Sequence, residues 1–502
     1  MVIVDFFRNY INALVGRNQE FEQLLAAKDI SAVKEKMQDR MEMVMQALKE
    51  YNVSTHNVMY RPDKEITNKK GQVIRREPVW KLPIPYPTYI NEISLVFLYG
   101  QPVKWLQQSD GTDRAFDKFQ EVIKRTRFDS KIRQCKRLAG AETESAMLFR
   151  VFKDEEGNPD VQIRVLARSK GDEIYTRFDQ FENLLSVAWG YYVKEEHDEV
   201  VYHFDIFTPK VIYHCARRKT VGWEVQAETN FIGKIPVILF QQNKEWAGVE
   251  QLIEREEMIA SRTADTNDYF ADPIAIMASD LIKNMPEKKE AAKLLITNDK
   301  DGVDKAARYL TWDNAPQSKK DEVEWLQTHI LRDTFTPNIT LDTLKSISQL
   351  SGKALRTVMM LADIKASKHK EKHDELLDRT ASLITAIIGN VLDVSLRSEC
   401  DNLVVTHEFQ EPFGEDIAED IKNIITCVDG EILSAESAIE RNPLVKDITL
   451  EKERLAQEKG ARQQMQQSIF GNDDDEQGAQ SAFSPQNKNG NTNNNPKDKN
   501  AE

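Results

Sequence analysis

SQLSGKALRTVMMLADIKASKHKEKHDELLDRTASLITAIIGNVLDVSL, residues 348–396, decides the architecture. Leu355, Val358, Met359, Leu361, Ala362, Ile364, Leu376, Leu377, Leu383, Ile384, Ile387, Ile388, Val391 and Leu392 recur at spacings of three and four, while charges crowd the middle. The pattern predicts one proline-free helix entered through a loop of small hydroxylated residues. At the usual rise it would run about 65 Å, more than a compact domain needs, so it either crosses an assembly or kinks, with Gly389 its weakest point. A chain built around such an element reads as an architectural subunit.

The 502 residues allow several domains, and 40% hydrophobic content is enough for real cores. Cys135, Cys215, Cys400 and Cys427 show no CxxC spacing, which argues against a disulfide framework or zinc site and for buried small apolar residues in a reducing compartment. The N-terminal MVIVDFFRNYINAL is a short amphipathic segment without the basic start or cleavage site of a secretory signal. No run reaches a membrane span; the closest, residues 381–396, carries Thr385, Asn390 and Asp393. A net charge of −14 opposes tight nucleic-acid binding, which needs a basic footprint. The richest basic stretch, KRTRFDSKIRQCKR at residues 124–137, is either a local phosphate patch or, more simply, a solvated helix face.

Along the chain, residues 19–51 read as two helices, and KLPIPYPTYI at 81–90 reads as extended. Residues 91–105 are mostly apolar and close on a Gly and Pro turn; 116–140 return to helical spacing. MLFRVF, a DEEGNP turn and VQIRV predict a hairpin, and strands follow at 184–193, 199–207, 211–215, 223–228 and 232–240. A charged helix from Gly248 to Ala271 stops before Pro273. Residues 272–312 form a small insert with a strand (PIAIMAS), a Lys and Glu helix and a second strand at 308–312; a helix at 318–335 returns from it, so two helices bracket a tip. After Cys400 a strand (LVVTHEF) precedes helices at 415–467, broken at Asp429 and Gly430 and at Asn442 and Pro443. From Ser468 the composition is too polar to bury a core and reads as disordered.

No catalytic or cofactor motif is visible. His369 and His373 have zinc spacing, but Lys370 stands where a metalloprotease needs Glu and no third ligand is spaced to join them, so they read as a solvated face. Gly352-Lys353 lacks the earlier glycine and following hydroxyl of a phosphate loop, with Ile347 and Ala354 at those places. His56, His197, His203, His214, His329 and His407 read as isolated. The expectation is a protein that is not an enzyme and uses no cofactor or metal.

The ordered set LYGQPV (98–103), GKIPVILFQQN (233–243), DTNDYFADPIAIM (265–277), SGKALRTVMMLADIKASKHKEKH (351–373) and VDGEILSAESAIERNPLVKDITLEKERL (428–455) resembles the portal proteins of tailed bacteriophages, in the branch of a Bacillus siphophage portal. The likeness runs from about Asn91 to Leu455. It implies an α+β portal fold: a wing at 1–247, a stem helix at 248–271, a clip at 272–312, a second stem helix at 313–337, a tunnel loop at 338–351, a long kinked helix returning to the wing at 352–414, a helical crown at 415–467 and a disordered tail at 468–502. It further implies a twelve-subunit ring at one capsid vertex of the virion, made in the bacterial cytoplasm, through which double-stranded DNA enters and leaves. Thr340, Thr343, Lys345, Ser346, Ser348, Gln349 and Ser351 would brush the duplex, unless they are an ordinary polar connector. Lys283, Glu287, Lys288, Lys289 and Lys300 of the clip would dock the large terminase ATPase and later a head-completion adaptor. Major capsid and scaffolding proteins complete the implied partners. An acidic channel with few basic loop residues keeps contact with sliding DNA weak. The rival reading is a cytosolic helical scaffold or adaptor that oligomerises without handling DNA; it has no need for an insert bracketed by two helices.

Overall fold

The computed structural model describes residues 20–68, 70–195, 199–218, 222–271, 274–278, 293–297, 307–309, 316–339, 352–410, 417–442, 444–445 and 448–470. They form a mixed α+β structure that divides into two units, Met1–Phe413 and Gly414–Glu502.

The first unit is layered because its strands bury both faces. Strands β6 (Glu173–Phe178), β7 (Leu184–Lys194), β8 (Val200–Phe207), β9 (Val211–Arg218) and β10 (Gly222–Thr229) pair antiparallel in the order β10-β9-β8-β7-β6. Strands β4 (Glu144–Lys153), β5 (Pro159–Leu166) and β11 (Val237–Gln241) form a second sheet, β11-β4-β5. Alternation along a strand sends successive residues to opposite faces. On β7, Val187 and Trp189 enter a core shared with Ala146 and Leu148 of β4, so the two sheets pack on each other. Ala188 points the other way, into a core with Tyr175, Phe204 and Ile206 that Phe21, Leu25, Ile30 and Val33 of the N-terminal helices cover. Met147 and Phe149 of β4 face the largest core, with Phe119, Phe128 and Ile132 of helices Asp113–Arg125 and Phe128–Glu142 and with Leu377, Ile384 and Ile388 of the long helix. The β4–β5 hairpin is closed by Asp154, whose Oδ1 accepts from the backbone N–H of Glu156 (2.9 Å) and Asn158 (2.8 Å), with Gly157 at φ +87°.

The expected strands at 184–240 all occur; β6, β1 (Lys64–Thr67) with β2 (Val73–Glu77), and β3 (Lys104–Gln107) escape the sequence reading. Strand β15 (Val405–Glu408) is present as expected and pairs with β3 (Lys104–Gln107). The extended assignment of 81–90 fails from Pro85, which turns the chain (ψ 44°) as the N-cap of a helix that spans Tyr86–Tyr99. Pro87 sits in its first turn, where a missing N–H leaves no bond unmade.

The long helix spans Gly352–Ile387 and passes into a π-turn at Ile388–Leu392, so the break falls at Gly389. A Cβ on Gly389 would lie 3.0 Å from Cys400 Cβ and 3.3 Å from Arg397 Cα, so a side chain there would push the Arg397–Asn402 helix away by a few tenths of an ångström. Helices Glu250–Ala271 and Pro316–Asp333 pair on either side of an insert of which strands β12 (Ile274–Ala278), β13 (Lys293–Thr297) and β14 (Ala307–Tyr309) are described, in the order β13-β12-β14. Strand β13 was not expected, and the Lys and Glu helix lies outside the described residues. Cys135, Cys215 and Cys400 are buried free thiols as expected, whereas Cys427 is partly exposed. Among the described residues no helix is long and apolar enough to cross a membrane.

The second unit has helices Ile417–Asp429, Ala435–Arg441 and Ile448–Phe470, with breaks where Gly430 and Asn442 stand. The last helix continues three residues beyond Gln467, so Ser468 does not end it. Residues beyond Phe470, and the N-terminal MVIVDFFRNYINAL, lie outside the described residues.

Candidate functional site

The residues expected to meet DNA, Thr340, Thr343, Lys345, Ser346, Ser348, Gln349 and Ser351, and those expected to dock a motor, Lys283, Glu287, Lys288, Lys289 and Lys300, lie outside the described residues. What the structure defines is the framework on either side of them. Two constellations stand out, and neither was visible as a motif.

The first fixes an arm of chain along the Glu250–Ala271 helix. From Trp80 to Ile84 alternate backbone N–H groups reach that helix at a spacing close to one helical turn. Ile84 N–H donates to Glu257 (2.8 Å), Leu82 N–H to Ser261 Oγ (3.0 Å) and Trp80 N–H to Asp265 (2.7 Å). Arg61 pairs with Asp265 at 2.6 Å and the Trp80 indole N–H donates to Asp268. Buried Glu256 accepts from Tyr86 O–H (3.1 Å) and from Gln327 of the partner helix (2.9 Å). Burial, with the neighbouring Glu257 charge, raises Glu256 above the usual carboxylate range although both hydrogen bonds pull it down. His56, read from sequence as isolated, is buried with Nδ1 2.6 Å from Glu257 Oε1. Burial lowers the His56 pKa, but the Glu257 hydrogen bond and charge, and the carbonyl and charge of Glu50, outweigh it and leave it raised. The sequence signal was present: Glu257, Ser261 and Asp265 recur every fourth residue opposite an alternating proline segment.

The second constellation ties the long helix to the root of that same helix. Glu245, in the turn before it, has a side chain only 1% exposed and meets Lys136, Lys365 (2.9 Å) and His369 (3.3 Å). Lys136 Nζ also donates to Gln242 (3.1 Å). Burial would raise the Glu245 carboxyl, yet the Lys136 charge, the His369 hydrogen bond and the Lys365 charge hold it well below the usual range. Burial lowers Lys365 and His369 despite Glu245. One turn on, His373 is buried against Tyr99, whose hydroxyl lies 2.8 Å from Nδ1, and burial together with Lys136 holds its pKa well below normal.

The reading of His369 and His373 as a solvated face is therefore wrong. They lie on the same stripe as Ala362, Ala366 and Leu377, which faces inward, while Glu371 and Lys372 carry the charge of KEK outward. Ammonium groups already surround Glu245, and among the described residues no group of His, Cys, Asp and Glu is placed to hold a metal ion. The basic run at 124–137 is likewise not a solvated face throughout. Lys136 is fully buried on Glu245, Arg125 meets Asp160 at 2.8 Å and Arg137 meets Glu92 at 2.6 Å. His407 is also paired, lying 2.9 Å from Asp374 and 3.3 Å from Asp378.

A helix pair bracketing a small sheet, a long helix anchored at the root of that pair and a two-sheet body define an architectural subunit, and comparison with known proteins names its kind. The family model for phage portal proteins of the SPP1 Gp6-like type matches residues 30–465, and the chain belongs to that family. The match extends past Asn91–Leu455 at both ends. The portal protein of Bacillus phage SPP1 is 22% identical over 267 residues, which is 51% of this chain and 50% of that relative. The alignment with this curated relative thus spans about half of its length.

Proposed function

We propose that the chain is the subunit of a portal ring at one vertex of a phage capsid, the channel for double-stranded DNA during packaging and ejection and the platform on which the terminase motor and then head-completion proteins dock. Family membership over residues 30–465 carries the reading. In it, residues 1–247 and the return of the long helix are the wing, the paired helices with their flanks are the stem (248–271 and 313–337), 272–312 is the clip, 338–351 the tunnel loop and 415–467 the crown.

The physical design supports this assignment. A conduit must let DNA slide, and a chain of net charge −14 gives the duplex no tight electrostatic hold. The Glu245 cluster sits at the root of the stem and grips the long helix 13 residues into it, at Lys365. In the portal reading that cluster couples the tunnel loop, which precedes the long helix, to the stem. A closed ring forms by one heterologous contact repeated until rotation closes it.

The test is mass photometry with negative-stain imaging of the purified full chain. The expected species is a ring with a central hole, built of about twelve copies of the 57.8 kDa chain. A monomer or elongated dimer at every concentration and salt would return the reading to a scaffold or adaptor. Given a ring, K345E or removal of residues 344–350 is expected to stop packaging with the ring intact. Changes at Lys288, Lys289 or Lys300 are expected to weaken terminase binding.

A further inference from the structure

Between the long helix and the turns that precede β7, β9 and β11 lies an open cleft of about 270 Å³. Leu184, Pro209, Ile235 and Leu383 give it apolar walls, and Lys234 and Arg379 give it two cations. Arg379 is half-buried and makes no hydrogen bond or ion pair with any described residue; Glu375, one turn back, acts on it only through its charge. A guanidinium has five N–H donors, and leaving them without partners away from bulk water is unfavourable. Lys234 Nζ donates to the carbonyl (3.1 Å) and hydroxyl of Ser382, both uncharged, which leaves one N–H free. Burial lowers the pKa of both cations. Elsewhere in the same unit cations meet carboxylates, as Arg125 does Asp160, Arg137 Glu92 and Lys136 Glu245.

A half-buried guanidinium without a partner among the described residues, beside an exposed ammonium on an apolar cleft, calls for an anion on an aliphatic stem. A glutamate or aspartate side chain fits that description: its carboxylate matches the guanidinium fork and its methylenes fill the walls, which a free phosphate would leave uncovered. A second copy of this chain, with 82 acidic residues against 68 basic ones, is a partner of the right sign. We propose that the cleft receives a carboxylate side chain from a second copy of the chain, anchored by Arg379 and Lys234. The proposal rests on the ring reading, in which every copy meets two neighbours.

The test uses the full chain with R379Q, R379K and K234Q. With no internal partner to lose, R379Q is expected to melt at or above the wild-type temperature, yet to need about tenfold more protein to assemble, with R379K between the two. Rings formed from isotopically light and heavy chains are then treated with a carbodiimide, which joins an amine directly to a carboxylate. Light-to-heavy crosslinks at Lys234 are the expected product. Normal ring formation by R379Q and K234Q, with no interchain crosslink at Lys234 in wild-type rings, would overturn this proposal alone. Excess inorganic phosphate that blocks Lys234 without affecting assembly would also overturn it, by making the cleft a free-oxyanion site. A marked loss of melting temperature in R379Q would make Arg379 an internal structural residue instead. A wild-type chain that never forms rings would remove the ring reading together with this one.

Discussion

The two units of the chain solve the same problem differently. The first fills several separate cores, with side chains such as Phe119, Phe204, Trp246 and Leu377 at 2% exposure or less. The second has no buried residue among those described, while Ile425, Ile432 and Leu444 are 53%, 81% and 64% exposed. Three helices with no interior are held by caps, exposed ion pairs and short contacts, each small. In the portal reading, apolar exposure of this extent is what a neighbouring subunit would cover. The difference teaches where stability comes from a buried core and where it comes from local contacts alone.

Breaking the buried cluster of the first unit is expected to have the largest effect. E245Q leaves Lys136 and Lys365 buried without their carboxylate and should cost about 3–5 kcal/mol, read by urea unfolding of the full chain. K365M should cost much less, since Glu245 keeps Lys136. L377A, in the largest core, should cost about 2–5 kcal/mol by the same measurement. In the second unit, I425S should stay within about 0.5 kcal/mol of wild type yet reduce ring yield. Equal losses for L377A and I425S would abolish the contrast between the units.

Protonation sharpens the contrast. Burial pushes Glu144 up to about 7 against the Gln241 hydrogen bond. An acid whose folded pKa is raised contributes most below its unfolded value, near 4.3, and loses stability as pH climbs to the folded one. His56, also raised, contributes below about 6.5 and loses that contribution as pH rises through its folded value. Both signs agree, while buried His369 and His373, whose pKa is lowered, act the other way up to about pH 6.5, so the melting temperature of the first unit should fall from there towards pH 8. E144Q should flatten that slope and raise the melting temperature at pH 8 by a few degrees. In the second unit the Lys452 hydrogen bond lowers Glu436, and hydrogen bonds to Glu440 and Glu436 raise Lys452, both away from this window. Its helical signal should be level across the same range.

The same division explains what could be read from the chain alone. Periodicity located the long helix, its break at Gly389, the β4–β5 hairpin and strands β7 to β11, because each is a local pattern that its core rewards. Strand β6 escaped because its polar ends and central Thr176 do not alternate cleanly; Thr176 is buried through pairing with Gln38. The charged constellations escaped for a different reason. Glu245, Lys136 and Lys365 are distant in sequence, and lysines and histidines in a charged run look solvated until a partner carboxylate is placed among them. The docking of residues 80–84 was illegible because the backbone N–H groups of Trp80, Leu82 and Ile84 bond to another element rather than within the segment.

The smallest expected effect tests the second unit on its own terms. Ser434 is the N-cap of the Ala435–Arg441 helix, its Oγ accepting from Ser437 N–H at 3.1 Å. Beside it, Lys452 joins Glu436 (2.9 Å) and Glu440 (2.8 Å) on the surface, a bridge that salt weakens. With no core beneath, the cap is one of the few terms holding this helix, and S434A should cost about 1 kcal/mol locally. Hydrogen exchange of the full chain is the measurement. Amides at 435–441 should exchange about fivefold faster in S434A, while those of β4 and β7 stay unchanged, since local opening of one unit need not pass to the other. If 435–441 exchanges slowly and equally in both proteins once rings have formed, but not before, the stability of this helix comes from assembly rather than from its cap.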